Sequence, residues 1–370
     1  MPQLDGLRAF AVAAVAISHW TPNFLVGIVP WGTGVQLFFV LSGFLITGIL
    51  LRSRPSESGV TIKTALRVFY TRRVLRIFPL YYGVLAFCLL LGVGPIYETW
   101  PWHVSYLSNI YYAVHGHADA LADPYLHFWS LSVEEQFYLL WPLVALVAPR
   151  RSLLILLYSC IIGSMAFRVG IAHLAPGIAS IRYLTPSCLD ALAVGGLVAY
   201  AKHYNGELGM RRTALGLASV GIIGLVVSVV LLGRDIGSED AHRIGHTFLV
   251  VFYGFIVAQA AIGFGSLPGR LLNLRPVRYL GRISYGLYVY HYFAPVAIAA
   301  FARQAGLEAA FQKQWMALSA YALFTVVVSM LSWHLYEFPI LKLKRRFGYP
   351  RPPGPLPTLE MQLPSPVSKV

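Results

Sequence analysis

Arg8 and His19 bracket the stretch Leu4-Asp-Gly-Leu-Arg-Ala-Phe-Ala-Val-Ala-Ala-Val-Ala-Ile-Ser-His-Trp20, in which only Ser18 is polar between them. Eleven residues of helix make about three turns, so the two side chains share a face roughly 16 Å apart along the axis. A histidine inside a membrane span is costly unless it is paired or wetted, which makes a functional role the first reading. A packing histidine bonded to a neighbouring helix is the other. With an ordinary pKa near 6.5, histidine suits a general base.

Other residues carry comparable signals. Arg73 and Arg76 lie three apart on one helix face, with Arg72 beside them. Their forks suit phosphate oxygens; anchoring to anionic lipid headgroups is the competing reading. Glu134, Glu135 and Gln136 open an apolar run in Phe128-Trp-Ser-Leu-Ser-Val-Glu-Glu-Gln-Phe-Tyr-Leu-Leu-Trp141. Ser132 followed by Glu135 reads as a capping box, which accounts for one acid but not for the group. The remainder would orient His19 or hold a polar acceptor. Asp190 is an acid within an apolar run, either a site residue or one half of an ion pair with another helix. Ser284 and His291, seven apart, share a face beside Tyr285. His115, His117, Asp119, Asp123 and His127 crowd one loop at spacings that match no standard metal site, so an exposed polar loop and no metal are expected. Glu337 ends the last apolar run, where it opposes the helix dipole and calls for a cationic partner.

The elements that must hold these residues are set by composition. The chain is 57% hydrophobic and 12% charged, against about 25% charged in soluble domains. An all-α, multi-pass membrane protein is expected. Apolar runs fall at 7–27, 33–51, 75–95, 128–148, 152–172, 184–201, 213–233, 246–265, 280–302 and 316–340, giving about ten transmembrane helices. With both termini cytoplasmic, twenty-three lysines and arginines fall on the inner side and five on the outer. That bias supports the count and the orientation together. It also assigns the +14 net charge to inner loops and membrane lipids rather than to nucleic acid. Arg8 then lies at the cytoplasmic end of the first span and His19 in its outer half. Asp5 and His19 favour a retained first span over a signal peptide. Cys88, Cys160 and Cys188 read as small buried hydrophobes. A transmembrane domain over 1–347 is followed by a Pro-rich cytoplasmic tail over 348–370, expected to be disordered.

Taken together, these motifs resemble the membrane-bound acyltransferase family 3, whose members O-acylate sugars, glycans and some small natural products. Leu4-Asp-Gly-Leu-Arg-Ala with His19 is similar to its arginine, ten residues, histidine motif. Gly34-Val-Gln-Leu-Phe-Phe-Val-Leu-Ser-Gly-Phe-Leu-Ile resembles its second span, and Arg73-Val-Leu-Arg76 followed by Pro79 its R-x-x-R motif. Trp129-Ser-Leu-Ser-Val-Glu-Glu-Gln-Phe-Tyr, Gly281-Arg-Ile-Ser-Tyr-Gly-Leu-Tyr and Tyr336-Glu-Phe-Pro resemble its later elements. Two positions depart from the pattern. Gln36 stands where an acid is often found, and Cys188 where an arginine is frequent, which takes away an expected partner of Asp190.

The resemblance implies an O-acyltransferase of the inner (cytoplasmic) membrane with acyl-CoA, most simply acetyl-CoA, as donor. The donor phosphates would meet Arg73, Arg76, Arg8 and Arg72. His19 would serve as general base or as acyl carrier, with Glu135 beside it. Glu134, Gln136, Asp190, Ser284, Tyr285 and His291 would line the path of a carbohydrate or glycan acceptor. With no esterase-like domain expected after the last span, the acceptor would be met by the bundle and its outer loops. A transporter or flippase of a glycan or lipid-linked sugar is the alternative, although the internal repeat usual in transporters is not found.

Overall fold

The computed structural model describes residues 1–21, 31–116, 122–175, 177–178, 180–231 and 239–348. No strand occurs among them. The helices in chain order are α1 (Pro2–Trp20), α2 (Gly34–Arg52), α3 (Pro55–Ser58), α4 (Ile62–Leu91), α5 (Ile96–Val104) and α6 (Ser108–His115). There follow α7 (Phe128–Val147), α8 (Arg150–Leu174), α9 (Leu189–Leu231), α10 (Glu239–Ile262), α11 (Leu267–Asn273) and α12 (Arg275–Arg282). The last are α13 (Ser284–Tyr290), α14 (Ala294–Ala305), α15 (Glu308–Phe311), α16 (Gln314–Ser332) and α17 (Phe338–Lys342). A π turn over Trp333–Glu337 joins α16 to α17. The Pro-rich tail from Tyr349, His117, Asp119 and the end of the first expected span lie outside the described residues.

Among the described residues, 6 helical segments are long and apolar enough to cross a membrane. The ten expected spans differ from these for local reasons. The runs at 184–201 and 213–233 fall largely on the two helices that make up α9, which part at Gly206 (φ 66°, ψ −161°). The run at 280–302 is not one helix but α12, α13 and α14, interrupted at Ile283 and at the turn of His291 to Phe293. Pro295, near the start of α14, has no N–H to return to the His291 carbonyl four residues back, and Trp20 Nε1 donates to that carbonyl instead, at 2.9 Å. α1 and α7 are 19 and 20 residues long; each carries charged residues and neither is among the six.

α9 packs most extensively on α10 and α2. Its contact with α2 is backbone to backbone: a Cβ on Gly43 would collide with the Leu192 carbonyl, and one on Gly195 with the Val40 carbonyl. Small residues of this kind let apolar helices approach closely where no hydrophobic drive separates protein from lipid. α1 lies against α12, α2 and α11. α4 is delimited by Thr61, whose hydroxyl accepts from the Thr64 N–H at 3.3 Å, and by Gly92 with φ 61°. These contacts bring α1, α2, α4, α7, α12 and α13 around a common interior.

Candidate active site

Among the cavities that open between these helices, two bring the charged residues together. The first, of about 400 Å³, is lined by Arg8 of α1, Arg72, Arg73 and Arg76 of α4, Arg282 of α12, and Lys344. Among the described residues, the only carboxylate in its lining is Asp5, whose Oδ1 lies 3.7 Å from Arg8 Nη1. The arginines are held in place. Arg73 stacks on Tyr138 at 4.5 Å, and Arg76 on Trp333 at 5.4 Å. Arg76 Nη2 donates to the Arg282 carbonyl at 3.3 Å, and Arg72 Nη1 to the Phe347 carbonyl at 2.9 Å. Six cations against one acid, with stacked guanidinium planes, make a receptor for a multiply charged anion.

The second cavity, about 120 Å³, shares Arg8, Arg73 and Arg76 with the first. Its polar lining includes Ser42, Glu134, Glu135, Ser284, Tyr285 and Tyr288. Ser42 and Tyr138 are hydrogen-bonded to each other, and the Tyr285 hydroxyl donates to the Ile77 carbonyl at 2.9 Å. Glu135 Oε1 is buried without a hydrogen-bond partner. A buried acceptor left open at a cavity wall is a place for a ligand donor.

The capping box does not form. α7 begins at Phe128, four residues before Ser132, and the Ser132 hydroxyl bonds Ser108 at 2.8 Å and the Phe128 carbonyl. Gln136 lines neither cavity. Its Nε2 donates to the Tyr106 carbonyl at 2.8 Å and to Asn109 Oδ1 at 2.9 Å, and its Oε1 accepts from Thr185. It pins the segment between α5 and α6.

His19 also lies outside both cavities, and its partner is not Glu135. His19 Nδ1 stands 2.8 Å from His291 Nε2, 272 positions away in sequence. The rings stack at 5.1 Å, and Tyr292 meets His19 edge-on at 4.7 Å. His291 Nδ1 is 2.6 Å from the Tyr288 carbonyl. Tyr288 joins the two regions: its ring lines the second cavity, its hydroxyl donates to the His127 carbonyl at 2.8 Å, and its own carbonyl holds His291.

The loop expected to be exposed and polar is only partly so. His115 is exposed. Asp123 is buried and accepts from the Tyr112 hydroxyl at 3.1 Å; His127 is buried with Nε2 donating to the Val289 carbonyl at 3.1 Å. Both are drawn in by packing against α6 and α13.

Asp190 is fully buried and forms an ion pair with Arg168, at 2.7 Å from Nη2. Arg168 also bonds Ser187 and Thr247. Asp190 lines neither cavity, and Arg168 from the preceding helix supplies the partner that Cys188 cannot. Two further residues stand out. Tyr106 has a left-handed backbone (φ 54°), is buried, and its hydroxyl has no partner. Strain held in place by Gln136 beside an open hydroxyl has no signature in the local sequence. Glu337 is buried in the π turn; its Oε1 accepts from Ser332 at 3.2 Å, and Oε2 has no partner. Arg76, stacked on Trp333 of the same turn, is a cation that acts electrostatically on Glu337. Single π turns in helices gather at functional sites.

Comparison with known proteins supplies a context for this geometry. A family model described as an acyltransferase domain matches residues 1–334. The chain is 30% identical over 315 residues to the O-acetyltransferase OatA of Staphylococcus aureus, covering 79% of this chain and 50% of that protein. It is 27% identical over 367 residues to the peptidoglycan O-acetyltransferase OatA of Listeria monocytogenes, covering 92% and 56%. The chain thus spans about half the length of these relatives. No solved structure matches.

Proposed function

This chain belongs to the acyltransferase domain family, and from that premise we propose that it is a membrane O-acetyltransferase that moves an acetyl group from acetyl-CoA to a hydroxyl of a glycan. The names of its relatives favour acetyl as the group and a peptidoglycan sugar as the acceptor class. The apolar helices make it a multi-pass membrane protein. The charge bias of the loops supports ten spans with both termini cytoplasmic.

One observation carries the reading: a single helix, α1, presents Arg8 to a cavity of six cations and His19 to a histidine pair about three turns away. A donor that is polyanionic at one end and reactive at the end of a long thin arm fits that layout. Its phosphates sit among Arg8, Arg72, Arg73 and Arg76, and the thioester reaches towards His19. His19 takes the acceptor's hydroxyl proton as the oxygen attacks the thioester carbonyl. The C–S bond breaks, and the thiolate leaves as the thiol on receiving that proton from His19. In the other course open to His19, its nitrogen carries the acetyl group between donor and acceptor. Glu135, with its open Oε1, holds the acceptor.

The test uses the purified full chain in lipid nanodiscs with labelled acetyl-CoA and a soluble peptidoglycan fragment. Wild type should transfer label to the fragment, and folded His19→Ala should not. Undiminished transfer by His19→Ala would remove His19 from the reaction.

A further inference from the structure

We propose that His291 is a positioning residue that fixes the tautomer of His19, so that Nε2 of His19 is the reactive nitrogen. This rests on the assignment of His19 to the transfer step.

The Tyr288 carbonyl can only accept, so His291 Nδ1, 2.6 Å away, carries a proton. A neutral imidazole has one donor and one acceptor, so His291 Nε2 offers a lone pair. That lone pair faces His19 Nδ1 at 2.8 Å, and His19 Nδ1 must therefore donate. Nε2 of His19 is left without a proton. The opposite tautomer would set two lone pairs face to face at hydrogen-bond distance.

The geometry is held from several sides. His291 is fully buried. Its carbonyl accepts from Trp20 Nε1 at 2.9 Å, so adjacent residues of α1 grip the ring and the backbone of the same residue. The ring of Tyr292 closes on His19 from the edge. Among the described residues no carboxylate is hydrogen-bonded to His19 or His291, and Glu134 and Glu135 line the second cavity, which His19 does not.

In the transfer step the proton arrives on His19 Nε2 while Nδ1–H stays where it is, directed at His291. The new C–O bond forms, the C–S bond breaks, and the proton on Nε2 passes to the departing sulfur. A neutral partner steadies the transient imidazolium less than a carboxylate would, which favours return of that proton. The second-ring role resembles in logic the fixing of a catalytic histidine by its other nitrogen.

Two measurements test this independently of each other. In ¹⁵N-histidine NMR of the wild-type chain in nanodiscs, neutral His19 should show a protonated Nδ1 and a bare Nε2, its signals assigned by their loss in His19→Ala. A protonated Nε2 overturns the proposal whatever the activity. In kinetics, His291→Ala should lower kcat on the order of 10²-fold or more with the KM for acetyl-CoA unchanged. His291→Gln, whose amide oxygen can accept from His19 Nδ1, should restore at least a tenth of wild-type kcat. Equal losses in the two variants, or no loss in either, overturn the proposal while leaving the dependence on His19 standing. Full transfer by His19→Ala instead strikes the assignment on which the proposal rests.

Discussion

Arg168 of α8 and Asp190 at the start of α9 form a buried ion pair at 2.7 Å, closed by Thr247 of α10. Three helices meet at that point, and none of the three polar groups is among the residues lining the two cavities described above. Removing one partner leaves the other charge buried, which costs about 3–5 kcal/mol. Asp190→Asn should therefore lower the melting temperature of the chain in detergent, while the folded fraction keeps its kcat and its KM for acetyl-CoA. A raised acceptor KM at unchanged stability would return Asp190 to the acceptor path.

The arginine cluster should act on the donor. Charge-assisted hydrogen bonds contribute roughly 1.5–3 kcal/mol, so Arg73→Ala should raise the KM for acetyl-CoA by about 10–100-fold. Arg73→Lys should rescue it poorly, because the planar guanidinium stacks on Tyr138 and a lysine does not reproduce that contact. Steady-state kinetics at varied donor concentration decide. An unchanged KM in both variants would assign the cluster to lipid headgroups.

Glu135 should act on the acceptor. Glu135→Gln keeps the shape but halves the acceptor capacity at a cavity wall where Oε1 is open. The expected result is a higher KM for the glycan, with acetyl-CoA binding by calorimetry unaltered. Weaker donor binding would place the carboxylate on the other substrate.

His103 gives a pH-dependent prediction away from the spans. It is fully buried in α5 between Tyr112, Tyr125 and Phe128, both ring nitrogens lack partners, and burial pushes its pKa down to about 3. The folded chain holds it neutral, whereas the unfolded chain protonates it below about 6.5. Stability linked to this residue is thus present above pH 6.5 and is lost as pH falls towards 3, at about 1.4 kcal/mol per pH unit. Melting curves of wild type should fall more steeply with acid than those of His103→Phe. Parallel curves would mean that His103 finds a proton-accepting partner in the folded chain.

Much of the site was legible as oddity and little of it as pairing. Arg8 and His19 announce themselves because polar groups are rare in such a run. Asp190 was visible for the same reason, yet nothing in its segment names Arg168 as its partner, since helix packing brings the two together across 22 positions. The His19–His291 contact spans 272 positions, and it depends on a break in an apolar run that hydrophobicity alone reads as continuous. Helix breaks at Ile283 and after Tyr290 are matters of local hydrogen bonding, which composition does not record. Tyr106 was invisible because its strain belongs to φ, and its meaning to a glutamine thirty residues away. Glu337 was flagged by its position, but the π turn that buries it was not.

Arg8, Arg73 and Arg76 stand in the walls of both cavities. Three guanidinium groups are thus a common reservoir of positive charge: before an anion arrives they face Glu134 and Glu135, and afterwards they are divided between the carboxylates and the newcomer. Occupancy of one chamber must then be felt in the other. The affinity for acceptor with donor bound should differ from the affinity without it, and thermodynamic linkage requires the donor's affinity to change by the same factor in return.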